Sequence, residues 1–488
     1  MKKIILFFLL FSQYTFASFD MNFNMQSSYK HIINLEFDEA RKLLALEELN
    51  DPKNGFIQLQ YNYIDFLTIL ICEEYDFFQV ALENKERRIH FLESNDEFSP
   101  YYLYSQAEVH LQWAFARLKF QQYTLATYEF VKAYNLLEKN SKLFPSFTLN
   151  KKGLGLIHSL LGSVPEKFHW IFNLTGIKAG VEIGLSELDC VLNEKKFSIY
   201  ENEVLFLLSF LHINLSDNDT VAKKYLNRIG DKYKDNHLLN FAAARLSHHL
   251  GKNDYCLNVL ENRPSSDNKL PFHYLDYLQG MSYLYCLEYD KSKFFLNRFL
   301  NNFKGINYIK STYHKLACIA YLQYDYPNKD IYFEKVISEG NTLIDEDKVA
   351  LRNAKNNYMT LHCLLKSRLL YDGGYYEKAK LEINRIQILK KNFKFYDEYW
   401  YRLARIKAKL KYNINEVIDN YQRSYDFYKK STRYYAPMSA LQIGLIYEKK
   451  NERDKAFYYF KKCLSISGFD YERGIHQKAK AGLLRISN

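Results

Sequence analysis

Apolar residues return at three- and four-residue steps along almost the whole chain, with polar residues between them, which is the period of amphipathic helices. Strand-like alternation bounded by turn residues is scarce, and only 8 prolines and 18 glycines punctuate 488 residues. The pattern predicts helices of roughly 12 to 18 residues joined by short polar turns, in units of about 34 residues. One stretch gives the unit in its clearest form. Gly444, Tyr447, Ala456, Phe460 and Cys463 fall at offsets 0, 3, 12, 16 and 19. Small residues at that spacing let two antiparallel helix backbones approach, and the large ones fill the gap beside them.

The same frame can be laid along the chain several times. Gly280, Tyr283, Ser292, Leu296 and Phe299 give a second clean copy. Ala40 with Leu44, Ala114 facing Ala126, Phe130 and Ala133, Ala222 with Leu226 and Ile229, Ala244 with Cys256, and Ala379 with Ile383 and Ile386 give shorter ones. Trp400 to Tyr428 reads as a degenerate pair, and Tyr471 to Ile486 as a closing helix. This spacing is similar to that of tetratricopeptide repeats. The resemblance implies an all-α, right-handed solenoid of helix pairs whose first helices line a concave face.

Between Asn140 and Leu192 the rhythm changes, and six glycines cluster there: Gly153, Gly155, Gly162, Gly176, Gly180 and Gly184. Glycine costs a helix about 1 kcal/mol against alanine, so the cluster points to close helix contacts that larger residues would prevent. Gly155, Pro165, Gly176, Gly184-Leu185 and Leu188 resemble the segment that marks a eukaryotic tetratricopeptide family. That family includes the mitochondrial outer-membrane protein of inclusion-body clearance. Ser163-Val164-Pro165 and Ile177 depart from its pattern, and the close match covers about 40 residues, with only the repeat frame elsewhere. What it implies is a helical scaffold, membrane-associated in some members, with no catalytic residues. Leu154 to Leu174 is apolar but interrupted by Pro165, Glu166, Lys167 and His169, which suits a buried or membrane-dipping hairpin and not a spanning helix.

The first residues read as a secretory signal, with Lys2 and Lys3 ahead of the apolar stretch Ile4 to Phe11 and Thr15-Phe16-Ala17 before a cut at Ser18. The chain therefore divides into a signal peptide (1–17), N-terminal helix pairs (18–140), a glycine-rich helical hairpin (141–192) and a C-terminal repeat array with a capping helix (193–488). An exported protein of the periplasm or envelope is expected. Cleavage lowers the formal charge from +11 to +9, and basic residues interleave with acidic ones, as in Glu448, Lys449, Lys450, Glu452, Arg453, Asp454 and Lys455. That is a solvated helix face and argues against nucleic-acid binding. The seven cysteines are scattered without a CxxC, several at small-residue helix positions.

No HExxH, GxSxG or Walker loop is present, and His248 and His249, adjacent on a helix, point about 100° apart and share no metal face. The sequence predicts no catalytic, cofactor or metal site and no enzyme. It predicts a scaffold that binds a protein or peptide on its concave face, with a peripheral membrane factor in lipid or envelope homeostasis as the alternative. Tyr274, Tyr277, Met281 and Tyr285 form the candidate partner-binding stripe, near i, i+3, i+7 and i+11 of a first helix. The competing expectation is that these rings pack against the next repeat.

Overall fold

The structure is a computed structural model that describes residues 19–161, 180–215, 218–386, 394–427 and 433–487. The expected signal peptide (1–17) and the middle of the glycine-rich segment, residues 162–179, lie outside the described residues. Among the described residues are 24 α-helices and two short 3-10 segments. Most helices join in consecutive antiparallel pairs. In chain order these are α1 (Phe23–Ile33) with α2 (Phe37–Asn50), α3 (Gly55–Cys72) with α4 (Tyr75–Glu93), and α5 (Pro100–Lys119) with α6 (Tyr123–Leu143). Then come α7 (Asn150–Leu161) with α8 (Val181–Leu192), α9 (Glu201–Leu215) with α10 (Asp219–Ile229), and α11 (His237–His249) with α12 (Asn253–Glu261). Next are α13 (Tyr274–Tyr285) with α14 (Tyr289–Asn302), α15 (Ile309–Leu322) with α16 (Tyr326–Ser338), and an unpaired α17 (Asp345–Lys355). The last are α18 (His362–Asp372) with α19 (Tyr376–Ile383), α20 (Tyr396–Lys409) with α21 (Ile414–Tyr425), α22 (Tyr435–Lys449) with α23 (Arg453–Leu464), and α24 (Glu472–Ser487).

The pairs cross where small residues stand 12 apart in sequence. Ser28/Ala40, Ala114/Ala126, Ala244/Cys256, Gly280/Ser292, Ser367/Ala379 and Gly444/Ala456 are all buried. Three of these crossings carry an added hydrogen bond: the hydroxyls of Ser28, Ser292 and Ser367 donate to the carbonyls of Ala40, Gly280 and Ala379 at 3.3, 2.8 and 2.8 Å. A Cβ on Gly444 would lie 2.6 Å from the Phe460 ring, so the close approach requires glycine. In α15 and α16 the crossing breaks the rule: Ala317 faces Lys329, whose stem is buried and whose Nζ bonds Asn357 Oδ1 at 2.7 Å.

A second regularity lies in the turns. Leu35, Glu73, Gln121, Gly251, Leu287, Tyr324, Gly374, Lys411 and Asn451 all have positive φ, each between the two helices of a pair. Left-handed backbone reverses the chain within a few residues, at a cost of roughly 1 kcal/mol for a side chain other than glycine. Most of these turns are followed two residues later by an aromatic that starts the second helix: Phe37, Tyr75, Tyr123, Tyr289, Tyr326 and Tyr376.

The turns also hold the molecule together over long sequence distances. Leu270 N–H donates to Leu35 C=O at 2.8 Å, and the Asn236 amide donates to Ile33 C=O at 2.9 Å. Glu73 Oε2 accepts from Asn307 N–H at 3.1 Å and from its Nδ2 at 2.7 Å. The Gln121 amide reaches Leu343 C=O at 3.2 Å. Turns of the first three pairs thus dock, in order, on the linkers between residues 230 and 343, so the middle of the array stacks on its beginning. First helices are buried on nearly every side, as α5 from Leu103 to Ala114 and α13 from Leu275 to Leu284. Second helices keep an exposed outer face, with Tyr128 of α6 60% and Phe294 of α14 60% exposed.

The described parts of the glycine-rich segment pack as close neighbours. α7 and α8 meet with Gly155 against Gly184; a Cβ on Gly155 would lie 2.6 Å from the Gly184 carbonyl oxygen, and one on Gly184 would strike the Gly155 carbonyl. Both helices also contact α9, and α7 contacts α6. Among the described residues no helix is long and apolar enough to cross a membrane.

Candidate functional site

Because the first helices face inward, the chemistry of the molecule lies on their inner sides, and it differs between the two halves. In the N-terminal half that face closes on itself. Lys152 of α7 is 2% exposed, and its Nζ donates to Glu108 Oε2 of α5, Glu203 Oε1 of α9 and Tyr63 OH of α3, each at 2.8 Å. Tyr29 of α1 donates to Glu203 Oε2 at 2.5 Å. Tyr104 and Tyr200 bring their rings to 5.9 and 5.6 Å from the ammonium. Burial pulls Lys152 down, but the two carboxylates outweigh it and hold the ammonium above the usual lysine range. Burial pushes Glu108 up. A second buried centre joins Glu129 to Lys85 at 2.6 Å, His110 at 2.6 Å and Arg117 at 3.3 Å. Burial opposes ionisation there, yet His110 and Lys85 hold Glu129 down at about 2. Both clusters pair their cations with buried carboxylates and tie helices from distant pairs into one register.

The C-terminal half is different. From α11 to α22 the first helices present tyrosines and cations that are only partly covered. The predicted stripe on α13 lies here. Tyr277 is 5% and Met281 7% exposed. The Tyr277 hydroxyl lies 3.2 Å from Ser311 Oγ of α15, and its ring packs 5.6 Å from Phe299 and 5.0 Å from Tyr308. Tyr274 and Tyr285 are half-buried. Tyr274 packs 4.7 Å from Tyr308, and Tyr285 packs 5.4 Å from His248 of α11 and against Gly373. Tyr277 is therefore packed into the neighbouring repeat and Met281 is buried, while Tyr274 and Tyr285 keep part of their surface exposed.

The stripe runs beside residues that the spacing argument had not singled out. Tyr285 sits in the field of Arg245 of α11 and of Arg368 and Asp372 of α18. Lys315 of α15 faces Arg368 and lies below the usual lysine range, because burial and that like charge both disfavour its ammonium. Arg368 Nε is 3.9 Å and Arg405 Nη2 of α20 is 3.6 Å from Asp372. The Arg405 guanidinium lies 4.0 Å from the Tyr371 ring centroid. Further along, Arg402 is buried in a closed ion pair with Glu398. The sequence offered only a weak signal for them: Arg245, Lys315, Arg368 and Arg405 each sit near the middle or end of a first helix, beside apolar residues such as Ala244, Leu316, Leu369 and Ile406.

No cluster of three or more His, Cys, Asp or Glu side chains is placed to hold a metal ion among the described residues. His248 accepts or donates at Ser282 Oγ, 2.8 Å away, and burial together with Arg245 pulls it to about 4. His249 lies instead 3.9 Å from Asp219, so the two adjacent histidines face different neighbours.

No family model and no curated protein matches this chain. Among solved structures it is similar to the anaphase-promoting-complex hetero-tetramer Cut9–Hcn1, at 12% identity over 94% of this chain and 95% of that one, with a TM-score of 0.29. It is also similar to yeast Tom70, at 10% identity over 91% and 92% of the two chains, with a TM-score of 0.35. The recurrent 12-residue crossing and left-handed turn of this chain itself mark it as an all-helical protein of stacked pairs.

Proposed function

We propose that this chain is a non-enzymatic scaffold, a right-handed tetratricopeptide-like solenoid that holds another protein on the inner face of its C-terminal half. The observation that carries the reading is the uneven burial of that face. The N-terminal clusters bury their ions, with the Lys152 and Glu129 side chains each 2% exposed, whereas Arg368, Asp372 and Arg405 keep 29, 30 and 26% of their side chains exposed within a wall of first helices. A site of partly covered cations and tyrosine rings on rigid helices suits recognition of a polypeptide. Lys2, Lys3, the apolar run Ile4 to Phe11 and the small residues before Ser18 support export to the periplasm or envelope of a bacterium.

The test has two parts. N-terminal sequencing of the protein recovered from cells is expected to begin at Ser18, and an N-terminus at Met1 would sink export. Cross-linked complexes from the envelope fraction are then compared for the parent protein and for Tyr285→Ala. The substitution is expected to remove one or more cross-linked proteins while the helical spectrum is kept. Identical cross-linked bands in both would remove this face as the binding surface.

A further inference from the structure

We propose that the inner face of the C-terminal half binds an acidic polypeptide segment, its carboxylates taken by Arg245, Lys315, Arg368 and Arg405 and its backbone N–H groups by Asp372. The proposal rests on the scaffold reading and names the chemistry of the partner.

Charge decides the sign. Four cations project from the inner helices α11, α15, α18 and α20, and the carboxylates facing them are Asp372 and, at the rim, the exposed Glu346. Neither Arg245 nor Lys315 has a hydrogen bond or ion pair within the described residues, although both are half-buried. Elsewhere in this protein most buried cations are matched by carboxylates, while Lys310 bonds the carbonyls of Val336 and Ile337. Lys152 has two carboxylates, Lys85 has Glu129, and Arg402 has Glu398. A partly desolvated cation without a counterion is costly, and a ligand carboxylate removes that cost.

Asp372 selects a polypeptide over a polyphosphate. Its carboxylate lies between Arg368 and Arg405, 3.9 and 3.6 Å from them, at the centre of the positive field. A phosphate backbone with a charge at every unit meets it with repulsion, whereas a peptide offers N–H donors between its acidic side chains. The half-buried rings of Tyr274, Tyr285, Tyr371 and Tyr434 add rigid walls along the same path. On the outer faces several lysines pair locally, as Lys42 with Glu39 and Lys455 with Glu452.

The experiment is fluorescence anisotropy with the full chain and three labelled probes. These are a short peptide in which every second residue is aspartate or glutamate, the same peptide with asparagine and glutamine in their place, and a single-stranded oligonucleotide of equal charge. The acidic peptide is expected to bind, more weakly as salt rises, and the neutral one to bind at least tenfold more weakly. Arg245→Gln and Arg368→Gln, each checked for an unchanged melting curve, are each expected to weaken the acidic peptide roughly five- to tenfold. Lys224→Gln, on the outer helix α10, is expected to leave binding unchanged. Equal binding of acidic and neutral peptides overturns the proposal, as does tighter binding of the oligonucleotide or unaltered affinity in both arginine variants. If cross-linked partners are lost in Tyr285→Ala while the acidic peptide neither binds nor competes with them, the scaffold reading stands and this inference falls.

Discussion

At the scale of single residues, the structure concentrates its sensitivity in buried charge. Lys152 is the counterion for both Glu108 and Glu203. Lys152→Met keeps the volume but strands two carboxylates, so a loss of about 3 to 5 kcal/mol in urea unfolding is expected. Adding Glu108→Gln to that variant should recover part of it, and no recovery would show that Lys152 acts through packing alone. His248 sets a pH response. Its folded value of about 4 lies below the ordinary 6.5, so the folded protein refuses a proton that the unfolded chain accepts. Stability from this group is complete above pH 6.5 and is lost as pH falls toward 4, roughly 3 kcal/mol in all. Asp347, raised to about 6 by burial, works in the opposite direction below that pH. The measurement is therefore the difference in stability between the parent and His248→Gln across pH 7 to 4, which is expected to narrow as pH falls. Neither residue was legible in the sequence. The partners of Lys152 come from α3, α5 and α9, and no periodicity brings Tyr63, Glu108 and Glu203 together.

At the scale of elements, much more could be read. Helix pairing shows in sequence because a crossing demands small residues on both helices at one separation, and Gly280/Ser292 or Gly444/Ala456 satisfy that demand locally. The glycine cluster pointed to close helix contacts, but that Gly155 meets Gly184 lay outside the 12-residue rule and was not legible. The turns were harder, since seven of the nine left-handed positions are not glycine and gave no compositional cue. The aromatic two residues later, as in Leu35-Glu36-Phe37 or Leu287-Glu288-Tyr289, was the signal that could have marked them. The left-handed turn makes a prediction of its own. Lys411 is exposed with φ of 59°, so Lys411→Gly removes strain without removing a contact and should raise stability by about 0.5 to 1 kcal/mol. Lys411→Val should lower it by a comparable amount. A destabilised glycine variant in thermal melts would show that the lysine stem contributes more than its backbone costs.

At the scale of the whole molecule, the stacking of turns on distant linkers was invisible to any repeat frame, because contacts such as Glu73 with Asn307 join residues 234 apart. That stacking makes the two ends of the protein unequal. One continuous apolar core runs from Met25 to Leu369, while the remainder is held by three smaller clusters, within 364–406, 401–443 and 425–479. A linear array unfolds from its weakest interface, whereas stacked turns couple pairs that are far apart in sequence. The C-terminal pairs are therefore expected to open before the rest. Trp113 lies in the large core, 2% exposed, and Trp400 lies against the cluster of 364–406, so each reports on one side of the boundary. With Trp170→Phe as background, single-tryptophan variants retaining Trp113 or Trp400 should unfold in urea with separate midpoints, Trp400 first. The circular-dichroism transition should then be broader than either. Coincident midpoints would mean that the smaller clusters are coupled to the large core as tightly as its own pairs are to one another. In that case the inner face of α18 and α20 is as rigid as the closed N-terminal wall, and a bound segment meets a preformed site.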